Sequence, residues 1–102
     1  MTISVRELRN YEKSNTLIDI LKKWACVDTV RQVVDILNDP TESFVEDAAY
    51  SANVSVRLAR ESLIKNLDKQ VKFEVIDEHD FNTGCPSCKI TVDGIEFWTD
   101  WC

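Results

Sequence analysis

At 102 residues, 44% hydrophobic and 29% charged, the chain has the length and composition of one soluble domain with a modest core. No apolar run reaches signal-peptide or membrane-spanning length, so a cytoplasmic protein without a membrane partner is expected. A net charge of −6 argues against nonspecific nucleic-acid binding, because phosphate attraction supplies most of that affinity.

Ile3 to Lys13 predicts a short helix capped by Ser4, with Val5, Leu8 and Tyr11 partly buried. Asn15 is expected to cap a second helix from Thr16 to about Ala25. There Leu17, Ile18, Leu21 and Trp24 recur at helical spacing, and Asp19 can pair with Lys23 one turn on. Asp28 is the expected cap of a third helix, Thr29 to Asn38, burying Val30, Val33, Val34 and Leu37 until Pro40 stops it.

Ser43 to Leu67 organises the rest. Ser43 with Glu46 three residues on predicts a capping box, and Phe44, Val45, Ala48, Ala49 and Ala52 share one helical face. Asn53 tolerates a left-handed backbone and can close that helix sharply. Ser55 then offers a fresh N-cap, and Val56, Ala59, Leu63 and Leu67 give the next helix its own apolar stripe. Ala49, Asn53, Val54 and Ser55, with Ala59 and Leu63 beyond, make this quarter of the chain resemble the helix-turn-helix of DNA-binding proteins, Asn53 standing where that family has glycine. The resemblance implies a recognition helix over residues 55–69. Its Ser55, Val56, Arg57, Arg60 and Glu61 would face base edges, and Lys65 and Lys69 would reach phosphates. The alternative is two ordinary packed helices with a capped turn.

After Lys69 the period changes from helical to two. Val71, Phe73 and Val75 alternate with Lys72 and Glu74, and Ile90 and Val92 alternate with Lys89 and Thr91. Asp93-Gly94 predicts a tight hairpin turn, followed by Ile95, Phe97 and Thr99 alternating with Glu96 and Trp98. Helices followed by antiparallel strands resemble the order of winged-helix domains. The fold expected is therefore α+β. Residues 1–26 form an N-terminal helical extension, 28–69 a three-helix helix-turn-helix core, and 71–102 a small antiparallel sheet, all in one domain. The resemblance also implies transcription regulation and homodimerisation through the N-terminal helices, which can equally well simply cover the core. The wing departs from the family. Residues 73–102 carry Lys89 against seven acids, and the loop Asp77-Glu78-His79-Asp80 would be repelled by a DNA backbone.

Gly84-Cys85-Pro86-Ser87-Cys88 resembles one knuckle of a zinc ribbon, since two thiolates two residues apart can grip one tetrahedral ion. A structural zinc held by Cys85, Cys88, Cys102 and His79 is one expectation. A Cys85–Cys88 redox pair and free thiols are the others. No nucleophile–histidine–carboxylate arrangement or phosphate loop stands out, so an enzyme is not expected.

Charge and tryptophan divide the functional readings. Residues 55–72 carry Arg57, Arg60, Lys65, Lys69 and Lys72 against Glu61 and Asp68, a basic strip on an acidic body. That suits a small DNA-binding regulator with a restricted footprint. It also suits an acidic protein-binding module, such as an inhibitor, an immunity protein or a phage-encoded antagonist. Alternation along the last strand puts Phe97 and Trp101 on one face and Trp98 on the other. There Trp98 either anchors a partner or packs over the N-terminal helices.

Overall fold

A computed structural model of the chain describes residues 16–77 and 86–101. The helix expected over Ile3 to Lys13, one of the two N-terminal helices expected to dimerise, lies outside them. Within the described residues the protein is α+β, four helices followed by three strands: α1 (Leu17–Ala25), α2 (Val30–Leu37), α3 (Ser43–Ala52), α4 (Val56–Lys65), β1 (Lys72–Asp77), β2 (Ser87–Val92) and β3 (Ile95–Asp100).

Three of the four described helix starts are set by hydroxyl side chains, though not always the expected ones. Thr16, rather than Asn15, occupies the N-cap of α1, its Oγ1 accepting from the Asp19 N–H. Thr29, rather than Asp28, caps α2 in a complete capping box. Its Oγ1 accepts from Gln32 N–H at 3.1 Å while Gln32 Oε1 accepts from Thr29 N–H at 3.0 Å. The box expected at Ser43 and Glu46 does not form. Glu42 takes the cap position without a side-chain bond, and Ser43 is already helical. The cause is the preceding turn. Asp39 Oδ1 accepts from both the backbone N–H and the hydroxyl of Thr41, and Glu42 N–H returns to the Asp39 carbonyl, so the chain enters the helix one residue early.

Asn53 ends α3 in the left-handed region, at φ 57° and ψ 45°. Val54 N–H returns to the Ala49 carbonyl at 3.0 Å, which closes the turn. Ser55 caps α4, its Oγ accepting from Leu58 N–H at 3.0 Å. That helix stops at Lys65, short of the expected Lys69. Cys26 closes α1 in the same left-handed conformation, with φ 57°.

The strands form a meander in the order β1-β2-β3, antiparallel throughout. Asp93 and Gly94 both have positive φ, 52° and 79°, as a two-residue turn matched to strand twist requires. A bulge between Val75 and Asp77 interrupts the β1–β2 register. The inner face presents Phe73, Cys88, Ile90, Val92, Ile95, Phe97 and Thr99, and Trp101 follows on the same side.

One core joins helices to sheet. α3 packs on β3 and on α4, α2 packs on both α1 and α4. Phe44 of α3 meets Trp24 edge-on at 4.9 Å and Phe97 at 6.2 Å, tying α1 to the sheet through one aromatic run. Trp24 Nε1 adds a bond to the Asp100 carbonyl. The start of α1 is held from the other side, where Leu17 and Ile18 donate to the carbonyls of Lys69 and Leu67. No helix among the described residues is long and apolar enough to cross a membrane.

Candidate interaction surfaces

Helix α4 buries Ala59, Ser62, Leu63 and Asn66 and turns Arg57, Leu58, Glu61 and Lys65 to solvent. Ser55 is also at the surface, its hydroxyl engaged as the cap, and Lys69 lies exposed beyond the helix. The expected base-contacting and phosphate-contacting residues therefore share one region, with one exception. Arg60 sits at the edge of the buried stripe, half covered, and its Nε donates to the Leu37 carbonyl at the end of α2. The reason is packing. α2 ends against α4, its last carbonyls have no intrahelical donors, and Arg60 supplies one.

The remaining α4 cations are also engaged. Arg57 Nε lies 3.0 Å from Glu61 Oε1, one turn along the same helix, with the arginine side chain 85% exposed. Lys65 Nζ lies 3.4 Å from Asp93 Oδ2 in the β2–β3 turn. Asn66 Nδ2 donates to the same carboxylate oxygen at 3.1 Å and to the Ser62 carbonyl at 2.7 Å. Partial burial works to raise the Asp93 carboxyl. Hydrogen bonds from Asn66, Lys65 and Ser62, with the Lys65 charge, outweigh it and hold the group below the usual carboxylate range. The hairpin is thus pinned to the end of α4 by an acid, which places negative charge where a groove-entering helix would want none.

Helix α3 presents an acidic outer face. Glu46, Asp47 and Tyr50 stand opposite the buried Val45, Ala48 and Ala49, and Tyr50 is 90% exposed. The helical wheel places Tyr50 away from the apolar stripe of Val45, Ala48 and Ala49, so its exposure is readable from residue spacing.

The outer face of the sheet is the second surface. Glu74, Lys89 and Trp98 lie in one cross-strand row, with Lys72, Thr91 and Glu96 in the next. Lys89 Nζ is 2.7 Å from Glu96 Oε2 and 3.7 Å from Glu74 Oε1, and sits 5.8 Å from the centroid of the Trp98 ring. The Glu96 hydrogen bond raises the Lys89 pKa above its ordinary value; burial opposes it, and the charges of Glu74 and Glu96 add to it. Trp98 is 51% exposed, and Ile76, pushed out beside the bulge, is 45% exposed. The Lys89 pairing follows from the register of the hairpin, which was legible in the alternation, but no single-strand pattern indicates it.

Cys88 is fully buried on the inner face of β2, among Ile90, Phe97 and the rest of the core. Its three expected zinc partners, Cys85, Cys102 and His79, lie outside the described residues, as does most of the acidic loop 77–80. Trp101 N–H donates to the Pro86 carbonyl at 2.9 Å, so the residue after Cys85 and the residue before Cys102 are backbone neighbours. Cys26, at the end of α1, is exposed. Comparison with protein-family models, with curated proteins and with solved structures finds no match to this chain.

Proposed function

We propose that this chain is an acidic protein-binding module, of the kind that serves as an inhibitor, immunity protein or antagonist. One observation carries the reading: Arg57, Arg60 and Lys65, the cations best placed to enter a groove from α4, each have an acceptor within the molecule. Surface charge that remains available is dominated by carboxylates, Glu46 and Asp47 on α3 among them, on a chain of net charge −6. Such a field steers basic protein partners and repels phosphate backbones.

A second reading, a DNA-binding regulator of helix-turn-helix or winged-helix type, is favoured by the left-handed turn at Asn53 feeding a Ser55-capped helix. Arg57 would then exchange Glu61 for a base edge, and Arg57→Ala would weaken specific binding by about 1–3 kcal/mol. A mobility-shift titration with duplex DNA across a salt range separates the two. The protein-binding reading expects no shift at low salt, together with a defined protein that the tagged chain retains and the untagged chain competes away. A steeply salt-dependent shift that Arg57→Ala abolishes would overturn it in favour of DNA.

A further inference from the structure

Strand β3 turns Glu96, Trp98 and Asp100 outward in succession, so two carboxylates stand roughly 7 Å to either side of one indole along the strand. Trp98 is not free to search. Lys89 lies against its ring and is itself held by Glu96 and Glu74, so the indole is ordered before anything binds. The same contacts engage the lysine charge, and Lys72 is likewise 3.5 Å from Glu74. The Asp100 carboxylate accepts from the Ser87 hydroxyl at 3.0 Å. Two strand spacings across and about two residues further along, roughly 12 Å away, Ile76 offers a second apolar contact on the same face. An ordered, half-exposed tryptophan with a charged rim is the usual anatomy of an interface hot spot.

We propose that the outer face of the sheet docks a basic segment of a protein partner, an Arg or Lys side chain lying on Trp98 between Glu96 and Asp100 and an apolar side chain reaching Ile76. The inference rests on the protein-binding reading and names its surface and partner chemistry. Charge complementarity decides the sign: Lys72 and Lys89 pair with Glu74 and Glu96, Asp100 leaves the face with a surplus carboxylate that favours a cation, and the indole face adds a cation–π contact. The separation fits a basic and an apolar residue four positions apart in an extended segment, an even spacing that turns both side chains to the same face.

Fluorescence anisotropy of the full chain with a labelled peptide of Arg-x-x-x-Leu repeats, set against an acidic peptide of the same apolar content, tests this. The cationic peptide is expected to bind and the acidic one not. Trp98→Ala and Glu96→Lys should each weaken binding about 10-fold or more, Trp98→Phe less, and Glu46→Lys on the outer face of α3 less than about 2-fold. Both Trp98 and Glu96 are solvent-facing, so circular dichroism of each variant should match the parent. Equal binding by Trp98→Ala, or a loss confined to Glu46→Lys, would overturn the sheet-face site while leaving an acidic protein-binding module in place. Absence of peptide binding with a low-salt DNA shift would overturn both.

Discussion

Asn53 is where the residue scale matters most. It occupies φ 57° with a side chain, in a region that disfavours L-residues by about 1–2 kcal/mol and that asparagine tolerates better than most. Asn53→Ala should therefore destabilise by about 1 kcal/mol, and Asn53→Gly should stay within about 0.5 kcal/mol of the parent, both read from urea midpoints. Its conformation was readable from residue type and position alone. Arg60 was not. Its sequence context marks a cation on a helix, but its partner is a carbonyl 23 residues earlier, and only the crossing of α2 and α4 brings the two together. Cys88 is likewise placed by tertiary structure, since the pleat of β2 turns its thiol to the inner face of the sheet, which the spacing Cys-x-x-Cys does not indicate.

Elements were the most legible level, because period, caps and turns act within a few residues of themselves. The four helices of residues 16–65 and the β2–β3 hairpin follow from apolar spacing and from Asp93-Gly94. The caps were less secure, since neighbouring polar residues compete for one position. Thr16 and Thr29 won over Asn15 and Asp28, and the Asp39 turn displaced Ser43. A paired substitution tests that assignment. Ser55→Ala should cost about 1 kcal/mol, the usual worth of a satisfied N-cap, while Ser43→Ala should fall within about 0.5 kcal/mol of the parent. Equal losses at the two positions would contradict it.

For the whole molecule, charge links stability to pH. Backbone and side-chain hydrogen bonds from Thr41 lower the Asp39 pKa, and Asp93 is lowered by its contacts at the end of α4. A carboxyl whose folded value is depressed adds stability above its unfolded value near 3.8, and that stability disappears as pH falls through the folded value. Lys89 runs the other way. Its raised value adds stability below 10.5 that is lost as pH rises through the folded value. Urea midpoints should thus fall on both the acid side of about pH 4 and the alkaline side of about pH 10.5, with a flatter acid limb in Asp93→Asn. The sequence by itself determined the α+β order, the helix faces apart from Val30 (half exposed where burial was expected), the left-handed turn at Asn53 and the acidic balance, because each is set by residues close together in the chain or by composition. Tertiary structure alone decided that α4 gives Arg60 to the Leu37 carbonyl and Lys65 to Asp93, and that Lys89 stands over the ring of an exposed Trp98. These pairings join residues on different elements, whose meeting depends on how the elements pack, and charge counting along the chain cannot register which of them neutralise one another.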